Sequence, residues 1–401
     1  MKILVVADGH YYIDKKKNVY VESVFDYSFY ARYLSVFDEV YAIVRAEEVE
    51  ELPKGCKLAS GEHVHFLHIP ASRGFNQYIQ NYVKTKKLVK SYVQQFDLAI
   101  FRVPGVVPNL VSSVYRKTGK PYAIEVVVDP WEYFAKGTVQ GIIRPFVRAL
   151  WSLSLKNICR KANGVSYVTK RYLQKKYPCK ALTSKDINYF TEHYSSVELP
   201  DDQFGQARVY EKKEKYIISH VANAFTGYGK GHITLMNAAK KILENGYNIE
   251  VWFVGDGRLK HEFMDYSNRI GIGSHVKFLG RMPNGAAVRE KIKESDLFVF
   301  PTRAEGLPRV LLEAMAEGLP TISSPVCGIP EVLSSEFLVN FDDYDGYAKA
   351  IIHLIDNPDI MTECSRINIS TAFQYRSSVL TERRNLFYDK VSKLGKNKNE
   401  N

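Results

Sequence analysis

Short apolar runs alternate with longer amphipathic stretches along nearly the whole chain. Residues 3–7, 40–44, 64–69, 98–103, 122–128 and 165–168 read as strands. A polar stretch at about residues 185–214 interrupts the pattern, and residues 216–221, 249–254, 276–279, 297–301, 321–323 and 337–339 form a second series. Runs that stay apolar at successive positions, with helical segments between them, predict parallel strands covered on both faces. Two such series predict an α/β fold of two doubly wound domains, with a ligand cleft at the carboxyl ends of the strands. Of the helical stretches over about residues 345–392, one is long enough to cross back onto the first domain.

A chain of 401 residues exceeds one ordinary core and suits two domains of roughly 200 residues. The five cysteines, Cys56, Cys159, Cys179, Cys327 and Cys364, are odd in number and scattered, without metal-ligand spacing. A reducing, cytoplasmic compartment fits them better than a disulfide framework. Residues 1–9 are too short an apolar run for a signal peptide, and no stretch approaches the ~18–20 apolar residues that span a bilayer. The net charge of +11 favours anionic partners such as nucleotides or phospholipid headgroups, or else only solubilises the surface. No zinc, helix-turn-helix or aromatic-rich RNA signature supports a nucleic-acid partner. The lysine-rich segment from Lys393 to Lys398 is expected to fray.

Candidate chemistry concentrates in residues 300–320, FPTRAEGLPRVLLEAMAEGLP. A strand ends at Phe300, and a helix is expected to begin near Pro308, because proline suits a first helical position. Gly306 leaves room for a ligand to approach the backbone, and a helix N-terminus at a strand's carboxyl end suits a phosphate. Glu305 and Glu313 offer carboxylates to sugar hydroxyls; alone, they read rather as a capping group and a solvated helix residue. Upstream, residues 221–232, VANAFTGYGKGH, carry flexible glycines and Lys230, suited to a phosphate loop or to a plain surface turn. The turn Val254-Gly255-Asp256-Gly257-Arg258 lacks the third glycine of a dinucleotide fingerprint.

Glu305-(x7)-Glu313, preceded by Pro-Thr-Arg and followed by Gly-Leu-Pro, resembles the E-x7-E signature of glycosyltransferase family 4. Cys327-Gly328-Ile329-Pro330-Glu331 resembles that family's Gly-Gly-hydrophobic-Pro-Glu element, with cysteine in place of the first glycine. The resemblance is close over residues 215–340 and looser before them. It implies a GT-B fold: two facing Rossmann-like domains with doubly wound parallel sheets and a C-terminal crossover helix. On this reading residues 1–200 form the acceptor-side domain, 201–375 the nucleotide-sugar domain, and 376–401 a helix and tail.

Site roles follow from the same resemblance. Glu305 would contact hydroxyls of the transferred sugar, and Glu313 would hold the ribose. Backbone N–H groups at Gly306 and Leu307 would approach the sugar and diphosphate. Lys230 matches the family's phosphate-binding lysine, whereas Asn223 stands at the position of its arginine, with Arg303 or Arg309 available to compensate. Gly255 and Arg281 would border the base, and Gly9, in the partly matching Asp8-Gly9-His10 loop, would face the donor phosphates. Asp129 stands roughly where relatives carry a sugar-facing histidine, so it would orient a hydroxyl or deprotonate the acceptor; a turn cap before Pro130 is the alternative.

The implied reaction is a retaining hexosyl transfer from a nucleotide-diphosphate sugar to a saccharide or lipid-linked acceptor in capsular or other surface polysaccharide assembly. It would proceed by front-side displacement, with no cofactor and no metal. Asp343-Tyr344-Asp345 has the letters of a metal-binding Asp-x-Asp motif but lies at an expected helix start, where aspartate caps. The competing readings are a nucleotide-sugar epimerase of the same fold and a non-catalytic basic nucleic-acid-binding protein. Residues 139–161 are amphipathic and basic, with Ile143, Val147, Leu150, Trp151 and Ile158 on one face and Arg144, Arg148, Lys156 and Arg160 largely on the other. They read either as a helix peripheral on the anionic inner face of the plasma membrane or as a core-packed helix with a solvated side.

Overall fold

A computed structural model describes residues 1–72, 75–134, 143–283 and 285–396. The first sheet contains β1 (Lys2–Val6), β2 (His10–Ile13), β3 (Val19–Val21), β4 (Glu39–Glu48), β5 (Lys57–Leu58), β6 (Val64–Pro70), β7 (Ala99–Val103), β8 (Tyr122–Val126), β9 (Gly164–Tyr167) and β10 (Phe190–His193). Its parallel body runs β10-β9-β8-β7-β1-β4-β6. Past the end of β1, β2 takes its place beside β4 and leads by antiparallel pairing to β3 and β5. The second sheet is parallel throughout, in the order β13 (Val276–Gly280), β12 (Ile249–Asp256), β11 (Tyr216–Ala224), β14 (Leu297–Phe300) and β15 (Thr321–Ser323).

Each body follows the doubly wound order, so each has a point where successive connections turn to opposite sides. It lies between β1 and β7 in the first sheet and between β11 and β14 in the second. Loops diverge there and leave a crevice. The strands are apolar at almost every position because helices cover both faces; Ile3, Leu4, Val5 and Val6 of β1 are fully buried.

The C-terminal helix Ser377–Lys396 crosses from the second domain to the first. Tyr388 stacks on Tyr33 with ring centroids 4.6 Å apart, and Phe387 meets Phe190 of β10 edge-on at 5.4 Å. Below them the buried Glu125 accepts hydrogen bonds from the hydroxyls of Tyr33 (3.1 Å), Tyr194 (2.9 Å) and Tyr388 (3.0 Å) and from Arg102 (3.1 Å). Burial alone would raise its pKa, but Arg102 and the hydroxyls outweigh this and hold it below the usual carboxylate range.

Several expectations need correction. Residues 337–339 make only a bridge, Leu338 to Ser323, beside the 3-10 turn Ser335–Phe337. The polar stretch at 185–214 contains edge strand β10. The helix expected to fray at Lys393 continues through Lys396, while 397 and 398 lie outside the described residues. In the helix Arg144–Lys161 the inward side is Ser152, Leu155, Ile158 and Cys159, whereas Leu150, expected beside Ile158, faces outward. Residues 139–142 of that stretch lie outside the described residues. Among the described residues no helix is long and apolar enough to cross a membrane.

Candidate active site

Two loops flank the crevice of the second sheet. The one after β11 carries Lys230 in a short 3-10 turn, Tyr228–Lys230, and the one after β14 carries Glu305. They are stitched together by Arg303 N–H, which donates to the carbonyl of Gly229 at 2.9 Å. Gly231 closes the turn at φ 74°, and a Cβ there would fall 2.2 Å from the carbonyl oxygen of Pro301, so only glycine fits. The outcome is an ion pair across the crevice between Lys230 Nζ and Glu305 Oε1, with both side chains half-buried. The ammonium also lies 5.8 Å from the Phe300 ring centroid. One cation and one acceptor thus face the same opening, suited to a phosphate and a hydroxyl respectively.

The helix Arg309–Ala316 starts one residue later than expected, with Pro308 as an N-cap that supplies no side-chain hydrogen bond. Among the described residues no side chain caps its first N–H groups. The carboxylate of Glu313, half-buried on this helix, has no hydrogen-bond or ion-pair partner among the described residues. Burial pushes its pKa up, with Arg309 and Arg289 opposing and Glu198 reinforcing.

Beneath the crevice sit two fully buried histidines that sequence reasoning passed over. His220 of β11 bonds through Nδ1 to the Val299 carbonyl (2.9 Å) and stacks on Phe300. His232, the first residue of the following helix, stacks on Phe263 at 4.6 Å, and both its ring nitrogens lack partners among the described residues. Burial drives their pKa values down, to about 4 for His220 and about 2 for His232, and the Lys230 cation adds to this. Both are neutral. The only sequence signal was His232 following the Lys230-Gly231 pair.

The same loops meet the first domain. A Cβ on Gly306 would lie 2.3 Å from the Val127 carbonyl oxygen, so on its side-chain side this backbone is approached by the first domain. Leu307 beside it is buried in the core. Gly328 N–H donates to Gly306 O at 2.8 Å, and a Cβ on Gly328 would meet Thr169 at 2.7 Å. Cys327, in the place of a glycine, holds φ 48°, and burial pushes its thiol up to about 12. Glu331 accepts the backbone N–H groups of Lys170 (2.6 Å), Arg171 (2.9 Å) and Tyr172 (2.7 Å) from the first domain.

Other predicted positions are not assembled with Lys230 and Glu305. Asp129 is fully buried, and its carboxylate accepts from Trp131 N–H (2.9 Å), Tyr172 (2.9 Å), Lys176 (2.6 Å) and the Tyr177 hydroxyl. All four lone-pair directions are occupied, so it serves as cap and ion-pair partner and has no site left for an acceptor proton. Gly255, at φ 137°, packs against β11, where a Cβ would fall 1.8 Å from Ala222 O, so the contact itself requires glycine. Arg303 turns aside to Asp342 (2.5 Å) and lies over Phe341. Asn223 and Arg281 are exposed at the ends of β11 and β13. Gly9 follows β1, where Asp8 already occupies the first-domain crevice by pairing with Arg45 and accepting from Val106 N–H. Asp343 caps the helix Tyr344–Asp356 through Gly346 N–H (2.7 Å), and Asp345 pairs with Lys241.

Residues 215–357 match the family model described as Glycosyl transferases group 1. Over 352 residues the chain is 28% identical to Protein CapJ of Staphylococcus aureus, covering 88% of this chain and 85% of that protein. A shorter stretch of 152 residues is 30% identical to the UDP-Gal:alpha-D-GlcNAc-diphosphoundecaprenol alpha-1,3-galactosyltransferase of Escherichia coli, which is 36% of this chain and 38% of that enzyme. Sucrose-phosphate synthase from Thermosynechococcus elongatus superposes with a TM-score of 0.68 and 16% identity, over 98% of this chain and 99% of the other, a likeness of fold. The chain is thus a two-domain protein of GT-B fold whose residues 215–357 carry a Glycosyl transferases group 1 domain.

Proposed function

We propose that this chain is a retaining, metal-independent glycosyltransferase, moving a hexose-type sugar from a nucleotide-diphosphate donor to a saccharide or lipid-linked saccharide in surface polysaccharide assembly. The observation that carries the reading is the Lys230–Glu305 pair, held across the crevice of a domain that matches group 1 glycosyl transferases. The name of the Escherichia coli relative, with its UDP-linked donor and lipid-diphosphate acceptor, supports the substrate classes.

In this scheme the donor diphosphate takes the Lys230 ammonium and the uncapped N–H groups at the start of Arg309–Ala316. Freed from its cation, Glu305 accepts hydroxyls of the sugar, and Glu313 accepts those of the ribose. The bond from the sugar's anomeric carbon to phosphate oxygen breaks as the acceptor oxygen attacks the same face, and the departing diphosphate takes the acceptor's proton. The protein's part is positioning and stabilisation of the leaving charge. A lysine supplies the charge that a divalent ion supplies elsewhere, and the Asp343 and Asp345 carboxylates are already engaged.

The test is thermal stabilisation of the purified chain by a panel of nucleotide sugars, followed by transfer assays with and without EDTA. Stabilisation by one class of nucleotide sugar and EDTA-resistant transfer with retained anomeric configuration are expected. Donor epimerisation without acceptor, inversion, or loss of transfer in EDTA each overturns the part of the reading it addresses.

A further inference from the structure

We infer that the first domain docks on an anionic bilayer through two helices of the same sheet face. The helix Arg144–Lys161 shows an outward row at Phe146, Leu150 and Leu153, 71%, 53% and 63% exposed, begun by Ile143 at 67% just before the helix. The spacing of three and four residues puts them on one line, which continues to Asn157 and Arg160. Four large aliphatic and aromatic side chains more than half exposed on one stripe exceed the scatter normal for a soluble surface.

The helix Phe75–Val93 repeats the arrangement, with Ile79 and Val83 exposed on one side and Lys86, Lys87 and Lys90 exposed further along. Five lysines and arginines lie in Arg144–Lys161 and four in Phe75–Val93, and neither helix carries a single Asp or Glu. Both pack their inner sides into the same core, which holds Val89 and Val93 together with Leu155 and Ile158. Each helix follows a parallel strand of that sheet, β6 or β8, so the exposed apolar residues, in the N-terminal half of each helix, lie toward the strands' carboxyl ends, where the cleft opens.

Charge and apolarity together select the partner. Exposed bases without acids fit any polyanion, but a nucleic acid offers nothing to a row of aliphatic side chains. A headgroup layer accepts the bases while the acyl boundary accepts the apolar row. The inference stands independently of the transferase reading.

The test is flotation of the full chain with vesicles of phosphatidylcholine alone or with one-third phosphatidylglycerol. Binding to the anionic vesicles, weakened by salt, is expected. Two triple variants, Phe146→Ser/Leu150→Ser/Leu153→Ser and Lys86→Gln/Lys87→Gln/Lys90→Gln, should each lower the bound fraction about tenfold or more. The wild-type melting temperature should persist, since all six positions lie at or near the surface. Absence of vesicle binding, equal binding by the variants, or tighter binding to single-stranded RNA than to anionic vesicles would overturn the inference.

Discussion

The carboxylate of Glu331, in the second domain, accepts the backbone N–H of Tyr172, in the first, at 2.7 Å, and the N–H groups of Lys170 and Arg171 complete the clamp. The turn it anchors donates from Gly328 to Gly306, the neighbour of Glu305. Replacing Glu331 by alanine should therefore act on Glu305 at a distance. Hydrogen bonds to a charged acceptor contribute about 1.5–3 kcal/mol each, so even one lost interaction is visible. Glu331→Ala should lower kcat/KM by at least about tenfold with an unchanged far-UV spectrum. Glu331→Gln should recover only part, because its amide NH2 faces donors. Wild-type kcat/KM in Glu331→Ala would show that the clamp is not coupled to the site.

Lys230→Ala removes the crevice cation. A charge-assisted contact of about 1.5–3 kcal/mol corresponds to roughly 10- to 150-fold in turnover. Steady-state kinetics with saturating acceptor should show this loss in kcat, with donor affinity also reduced. Unchanged turnover in a folded sample removes Lys230 from the proposed machinery.

Asp129 gives the opposite expectation. Its four partners make it structural, and breaking a buried ion pair costs about 3–5 kcal/mol. Asp129→Asn should lower the melting temperature by several degrees, yet leave kcat within about threefold at a temperature where the variant is folded. A large kcat loss without destabilisation would return Asp129 to the catalytic group.

The buried histidines set a pH dependence of stability. An unfolded histidine binds its proton near pH ~6.5. In the folded chain His220 does so only near 4 and His232 near 2. Between about pH 6.5 and those values the unfolded chain holds more protons, so stability falls as pH drops below about 6.5. Above that pH both states are neutral and the penalty vanishes. At pH 5 each histidine contributes about 2 kcal/mol of this loss. Urea denaturation at pH 7.5 and 5 should reveal it, and His232→Phe, which keeps the stack on Phe263, should remove about half of the histidine contribution and leave that of His220. An equal pH response in that variant excludes the assignment.

Much of this architecture could be read from residue order. Continuous apolar runs located the strands of both parallel bodies because helices cover both faces, and the Glu305-(x7)-Glu313 spacing led to the crevice. Edge strand β10, with Thr191, Glu192 and His193, escaped notice because one-sided burial leaves no continuous apolar run. Glycines were harder to read. Gly306 and Gly255 each announce a close approach, but the sequence does not tell whether ligand, partner domain or neighbouring strand approaches; here it is Val127 and Ala222. Asp129 was ambiguous for a similar reason, since Tyr172, Lys176 and Tyr177 arrive more than forty positions later.

The crossing helix has a consequence for synthesis. Glu125 lies in a strand made early, yet one of its hydroxyl donors, Tyr388, is translated more than 250 residues later. A nascent first domain leaves the ribosome with that carboxylate one donor short and the apolar side of β10 uncovered, so it must wait for the second domain before its own core is complete. Loss of residues 377–396 should accordingly expose the first domain to proteases ahead of the second, although the missing segment follows the second in the chain.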